Sequence, residues 1–315
     1  MIKVQIVFMG TPDFAVPTLK SLIENKHNVL SVITQPDRPF GRKRIKTAPP
    51  VKKFALEHNI PVLQPESVKN EDFIDTIREL KPDLFVVAAF GQILPRALLD
   101  IPFFGAINVH ASLLPKYRGA APIQWAIING EEYTGVTTMW MDEGMDTGDI
   151  FLSDSIKIQM DWTSEDLSRE LSMLGADLII ETIEYIEGNS IIRLPQEEEH
   201  ATYAPILKKQ DGKINWNKNT LEIHNLIRGL NPWPYAYTIK DSNEIKLIRS
   251  KIYKTGGEGN PGKFMGIVKD EGFLVGTADG CLLIQELHEA GKRRMTALDY
   301  LKGHPLKEGE YFADA

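Results

Sequence analysis

The first half of the chain alternates short apolar runs with longer stretches whose apolar residues recur at helical spacing. Residues 2–9, 29–34, 60–63, 84–89 and 106–110 are apolar or alternating runs of strand length. Between them, residues 14–25, 51–59 and 73–80 carry the period of an amphipathic helix. Strand–helix alternation of this kind predicts an α/β architecture, a doubly wound and mostly parallel sheet with helices on both faces. Such sheets take their ligands beyond the carboxyl ends of the strands. That rule selects the loops at residues 10–12, 89–95, 111–119 and 142–149.

The second half reads differently. A long helical stretch at residues 163–186 starts with Thr163, Ser164, Glu165 and Asp166, a plausible cap. Residues 193–209 mix charges, hold Pro195 and Pro205, and show no period, so they are expected to be a linker. One helix follows at 221–230, then β-rich runs at 246–253, 263–269, 273–277 and 282–287, punctuated by glycines. Short strands with turn signals predict a small β-barrel, of the oligonucleotide-binding (OB-like) type. The expected division is a first domain at 1–192, a linker at 193–209 and a barrel at 210–315.

Composition narrows the class. A chain of 315 residues suits about two domains. No apolar run approaches the roughly 20 residues that span a bilayer. The amino-terminal residues alternate like a strand and lack a secretion signal, so a cytoplasmic location is expected. The single cysteine, Cys281, excludes an intrachain disulfide framework and a Cys-rich zinc site. The net charge of −7 argues against a polyanionic partner, but it is unevenly spread. Residues 208–315 carry 17 Lys+Arg against 14 Asp+Glu (+3), and residues 1–207 carry 19 against 29 (−10). Local patches can therefore still hold nucleic acid.

Four segments carry candidate chemistry. Gly10-Thr11-Pro12-Asp13-Phe14 ends the first strand; it fits either a tight turn or a helix start that receives an anion. It is neither a P-loop nor a dinucleotide fingerprint. Asn108 and His110 are two apart in a strand, so both side chains share one face where that strand runs out. A carboxamide can donate to a developing oxyanion, and an imidazole can move a proton near neutral pH, a useful pair for acyl transfer. As a pair they also fit a purely structural role. Residues 142–149 place Asp142, Glu143, Asp146 and Asp149 in a glycine-punctuated loop without calcium-loop spacing. It can be a solvated turn, or one carboxylate can orient a histidine. Arg38, Arg42, Lys43, Arg44, Lys46, Lys52 and Lys53 form a basic run with no acid between Arg38 and Lys53. Its first part, residues 36–50, is rich in proline and glycine and is expected to be a mobile loop suited to a phosphate-bearing substrate.

Taken together these segments resemble the folate-dependent formyltransferase family. The resemblance rests on Asn108-Val109-His110, on Ser112-Leu113-Leu114-Pro115-Lys116-Tyr117-Arg118-Gly119 and on Asp142 to Gly148. Gly10-Thr11-Pro12-Asp13-Phe14-Ala15, Gln35-Pro36-Asp37-Arg38-Pro39 and Asn231-Pro232-Trp233-Pro234 extend it over essentially the whole chain. It implies a Rossmann-like catalytic domain with Asn108, His110 and Asp146 as its catalytic trio. It also implies folate binding by Ser112, Leu113, Leu114 and Pro115, with 10-formyltetrahydrofolate as formyl donor and no metal. The basic loop and the second domain select the tRNA-acting member, so initiator methionyl-tRNA is the implied acceptor. Arg42, Lys43, Arg44 and Lys46 are the candidate tRNA contacts, in a protein expected to act as a monomer and to serve translation initiation.

Three rivals stand beside that reading. A formyltransferase acting on glycinamide ribonucleotide would need only the first domain. A sugar-nucleotide N-formyltransferase can carry a similar second domain. A non-catalytic RNA-binding protein would have no need of the intact Asn108, His110 and Asp146.

Overall fold

The computed structural model describes residues 3–41 and 45–313. The chain forms two compact units: residues 1–119, 134–156 and 168–203 make the first, and residues 120–133, 157–167 and 204–315 the second. Among the described residues no helix is long and apolar enough to cross a membrane.

The first unit is built on a seven-stranded sheet. Its strands are β1 (Gln5–Gly10), β2 (Asn28–Ile33), β3 (Val62–Leu63), β4 (Leu84–Ala88), β5 (Ala106–His110), β6 (Tyr133–Trp140) and β7 (Ile150–Lys157). They lie in the order β7-β6-β5-β4-β1-β2-β3. β1 pairs in parallel with β2 and β4, β3 with β2, and β5 with β4; β6 runs antiparallel to β5. Every residue of β4, and all of β1 after Gln5, is buried, as a parallel strand covered on both faces requires. Helices Val16–Glu24, Pro50–Glu57 and Glu71–Leu80 follow the predicted stretches. Glu71–Leu80 shows the local logic. Asn70 caps it by accepting from the Phe73 N–H, and Ile74 and Ile77 enter a core with Val7, Met9, Phe85 and Val87.

The order reverses between β1 and β4, so the crevice of this sheet opens beyond Gly10 and Ala88. Gly10 has no room for a side chain, since a Cβ there would lie 2.8 Å from Ala15 Cβ and 2.9 Å from Ala88 O. Thr11 Oγ1 donates to Phe90 O (3.1 Å) and accepts from the Gln35 N–H (3.2 Å), which ties the ends of β1, β2 and β4 together.

Sequence pattern and structure part company in several places. Residues 36–50 do not form a plain loop: Arg38–Phe40 and Ile45–Thr47 pair as an antiparallel hairpin. Its base is fastened by Lys52, whose Nζ reaches both Asp37 oxygens at 2.9 Å and Gln64 Oε1 at 2.6 Å. Strand β7 escaped the pattern because it is largely exposed along Ser153, Asp154 and Ser155 and offers little apolar signal. Helices Pro122–Ile128 and Ala297–Gly303 were too short to show a period.

The second unit holds an antiparallel sheet of β8 (Ala236–Lys240), β9 (Asn243–Lys254), β10 (Phe264–Val268), β11 (Gly272–Gly276) and β12 (Cys281–Glu289), ordered β8-β9-β12-β11-β10. Both edges are met by one segment: Ile239 bridges Ala313, and Lys263 bridges Tyr311. The sheet thus curls on itself, closed by isolated bridges instead of a continuous ladder. Its inside is filled by Trp216, Ile227, Leu247, Phe264, Phe273, Leu282, Ile284 and Phe312. Helix Thr220–Gly229 is capped by Asn219 and Glu222 in a reciprocal box. It draws earlier residues into this unit. Arg228 Nη1 donates to Gln159 O (2.8 Å) and Trp162 O (3.1 Å), and His224 Nε2 donates to Met160 O (3.0 Å).

Candidate active site

Strand β5 delivers Asn108 and His110 to the carboxyl edge of the first sheet, and the chain then turns sharply through residues 111–119. Asn108 is partly exposed, whereas His110 is 6% exposed and lies inside. The loop after β6 returns to the same edge with Asp146 in a left-handed conformation (φ 56°), uncommon for a non-glycine residue. Asp146 Oδ1 accepts from Asn108 Nδ2 at 3.4 Å, and Oδ2 accepts from the Gly119 N–H at 2.8 Å and lies 3.7 Å from His110 Nδ1. The three side chains singled out by sequence therefore meet at one point.

The histidine's proton placement follows from its partners. His110 Nε2 faces Tyr117 O at 3.0 Å, and a carbonyl only accepts, so Nε2 carries the hydrogen. In the neutral ring Nδ1 is then the bare nitrogen, turned toward Asp146 but beyond hydrogen-bond reach. That leaves Nδ1 free to take a proton, with a carboxylate beside it to balance the charge.

The turn is stiffened from within. Ser112 is fully buried and its hydroxyl donates to Lys116 O (2.6 Å), while Thr137 Oγ1 donates to Ser112 O (2.7 Å) and accepts from the Leu114 N–H (3.2 Å). Of the candidate folate residues Ser112, Leu113, Leu114 and Pro115, only Leu113 and Pro115 keep appreciable exposed surface. Ser112 shapes the loop by its own bonds; an apolar wall is what Leu113 and Pro115 offer a planar ligand.

Beneath the trio lies a network that the sequence did not announce. Arg118 is 1% exposed; its Nη1 and Nη2 fork onto Glu198 at 2.9 and 2.8 Å, and its Nε donates to Gln196 Oε1 at 3.0 Å. The Glu198 hydrogen bond raises the Arg118 guanidinium above its ordinary range, and the same contact holds the Glu198 carboxyl below the usual carboxylate range. Gln196 Nε2 in turn donates to Asp146 O (2.9 Å) and Gly148 O (2.7 Å). Both Gln196 and Glu198 fall in the stretch read as linker, where neither period nor motif marks them.

The acidic loop has its own internal bonds. Asp142 Oδ1 accepts from the Gly144 N–H (3.0 Å) and from Thr147 Oγ1 (2.8 Å). Among the described residues, the three acids and histidines close enough together to share a metal ion are elsewhere, at exposed Glu197, Glu199 and His200. Of the candidate tRNA contacts, Lys46 is exposed opposite Pro39 in the hairpin. Arg42, Lys43 and Arg44 lie outside the described residues. Lys52, also in the basic run, is bound to Asp37 and Gln64. Cys281 is buried in β12, and burial pushes its thiol up.

Comparison with known proteins bears on the whole chain. Residues 2–183 match the formyl transferase family model and residues 206–305 match the formyl transferase C-terminal domain. A methionyl-tRNA formyltransferase of Acetivibrio thermocellus is 50% identical over 97% of this chain and 98% of its own length. One from Geobacter sulfurreducens is 48% identical over 100% of this chain and 98% of its own. Among solved structures, an N-formyltransferase from Helicobacter canadensis, in complex with folinic acid and dTDP-3-aminofucose, superposes with a TM-score of 0.65. It is 24% identical and covers 90% of this chain and 98% of its own, a likeness of fold. With two family models spanning most of its length and near-full-length relatives at about half identity, this chain belongs to the formyl transferase family.

Proposed function

We propose that this enzyme transfers the formyl group of 10-formyltetrahydrofolate to the free amine of methionine on initiator methionyl-tRNA, in the cytoplasm and as a monomer. The observation that carries the reading is the near-full-length identity to methionyl-tRNA formyltransferases, at 50% for the A. thermocellus protein. The meeting of Asn108, His110 and Asp146 at one strand end supports the chemistry. A sugar-nucleotide acceptor has support from likeness of fold to sugar N-formyltransferases at 24% identity or less.

The attacking α-amine must be uncharged, and free α-amines titrate near pH 8, so a large share is ready at neutral pH. Asn108 Nδ2 donates to the oxyanion that forms as the amine adds to the formyl carbon. The new bond leaves an extra proton on the incoming nitrogen. His110 takes that proton at Nδ1, the nitrogen its Tyr117 contact leaves bare. Asp146 offsets the charge of the imidazolium, 3.7 Å away. His110 then returns the proton to the departing folate nitrogen as its bond to the formyl carbon breaks. Atoms and charge balance without a covalent enzyme intermediate or a metal. Leu113 and Pro115, with the backbone of Ser112 and Leu114, hold the folate, and the basic run with Arg42, Lys43, Arg44 and Lys46 meets the tRNA phosphates. The deciding experiment offers 10-formyltetrahydrofolate with methionyl initiator tRNA or with amino-sugar nucleotides. Formylation of the tRNA alone is expected; formylation of the sugar nucleotide alone overturns the acceptor.

A further inference from the structure

We infer that Gln196 is a positioning residue for Asp146, acting on catalysis through the main chain of the loop that carries it. The inference rests on the reading of Asn108, His110 and Asp146 just given. Besides its long contact with Asn108, Asp146 is placed by two agents. Its carboxylate is held by the Gly119 N–H, and its own carbonyl, with that of Gly148, is held by the single amide nitrogen of Gln196 at 2.9 and 2.7 Å. The backbone between those carbonyls has little slack. Asp146 is left-handed at φ 56°, and a Cβ on Gly148 would run into Trp140 O.

The orientation of the Gln196 amide is not free. Arg118 Nε has only hydrogen to give, so Oε1 of Gln196 must face it and Nε2 must face the two carbonyls. Arg118 is itself fixed by its fork onto Glu198. An uninterrupted series of bonds therefore runs from Glu198 through Arg118 and Gln196 to the main chain on either side of Thr147. Asp142, bonded to the Gly144 N–H and Thr147 Oγ1, braces the same loop from its other side. What Gln196 sets is the distance between Asp146 Oδ2 and His110 Nδ1, 3.7 Å and too long for a hydrogen bond. The proton relay is sensitive to that distance; the grip on folate and on tRNA is not.

Two substitutions separate this role from bulk. Gln196→Glu keeps the shape and the acceptor for Arg118 but loses both donated bonds, and Gln196→Met keeps roughly the shape and loses all three. Each is expected to lower kcat about 10- to 10²-fold, as misplacement by about an ångström does. KM for methionyl-tRNA and for the folate donor should stay within about twofold, with the thermal midpoint nearly unchanged. The decisive readout is a double-variant cycle. In an Asp146→Ala background there is no carboxylate left to position, so Gln196→Met should cost less than about twofold more. Losses that multiply in the double variant, or a KM that rises as much as kcat falls, would overturn the inference. So would a fully active Gln196→Met beside an impaired Asp146→Ala. A fully active Asp146→Ala would remove the trio and this inference together, which marks the two failures apart.

Discussion

Asp146 Oδ2 is 2.8 Å from the Gly119 N–H and 3.7 Å from His110 Nδ1, so the main chain places the carboxylate and the imidazole does not. Removing His110 should therefore leave Asp146 where it is. Asn108→Ala is expected to lower turnover about 10²–10³-fold as a lost oxyanion donor, and His110→Ala about 10²–10⁴-fold as a lost proton relay. Steady-state kinetics alongside circular dichroism check this. A His110→Ala enzyme within about threefold of wild type, still folded, ends the proposed relay.

Activity is expected to survive exhaustive chelation. The chemistry asks a neutral amine to attack a formyl carbon, with charge handled by Asn108, His110 and Asp146. In the acidic loop, Asp142 Oδ1 already has two donors that a cation would have to displace. Assays after treatment with a chelator, with tRNA folding controlled separately for magnesium, give the answer. Loss of turnover that one divalent ion restores at fixed tRNA structure would refute it.

The basic run should divide into two functional kinds. Arg42→Ala or Lys43→Ala is expected to weaken use of methionyl-tRNA and to reduce the salt slope by about one unit per lost phosphate contact, with KM for folate unchanged. Lys52→Met should leave the salt slope alone, because that ammonium is spent on Asp37 and Gln64. It should instead loosen the base of the hairpin. The Lys52 and Gln64 hydrogen bonds hold the Asp37 carboxyl below its usual range, so this fastening is present at neutral pH and is lost only as pH falls through that lowered value. Kinetics for both substrates across a salt series separate the two classes. An equal change of slope for Arg42→Ala and Lys52→Met would dissolve the distinction.

The second unit should lose stability on mild acidification. Burial, aided by Arg228, pushes His224 below the ordinary imidazole range, against the opposing pull of the Met160 carbonyl. Below about pH 6.5 the unfolded chain takes up a proton that folded His224 refuses, so stability falls as pH drops, until pH reaches the folded value. His27 shifts in the same direction, also through burial, and contributes in the first unit. His224→Gln should therefore shrink, without abolishing, the difference in thermal midpoint between pH 7.5 and pH 5.5. An unchanged difference in that variant would assign the effect elsewhere.

The central strands and their helices were legible because burial writes itself into hydropathy: β1 and β4 are apolar almost throughout, and Ile74 and Ile77 sit at helical spacing. Asn108 and His110 were legible because a two-residue period is a statement about faces. Asp146 needed the family likeness, since its φ of 56° and its bond to Gly119 leave no trace in spacing. Gln196 was invisible. A carboxamide whose partners are carbonyls 50 and 48 residues away in sequence has no local pattern to betray it. The pairing of Arg38–Phe40 with Ile45–Thr47 was hidden by the prolines and glycine that suggested a loop; Pro39 is tolerated there in a short two-stranded ribbon.

The segment that bridges β8 and β10 sets a timetable. Thr238 Oγ1 donates to Ala313 O at 2.7 Å across 75 positions of chain, and Ile239 exchanges both main-chain bonds with Ala313. A ribosome adds about 5–20 residues per second. The outer edge of β8 thus emerges on the order of 4–15 s before the residues that cover it. For that interval the nascent chain presents an unpaired strand edge, the kind of surface on which neighbouring chains pair and aggregate. Shielding in that window must come from outside the sheet, so the yield of active enzyme in crowded synthesis should be governed by elongation speed between residues 238 and 313 as much as by the stability of the finished fold.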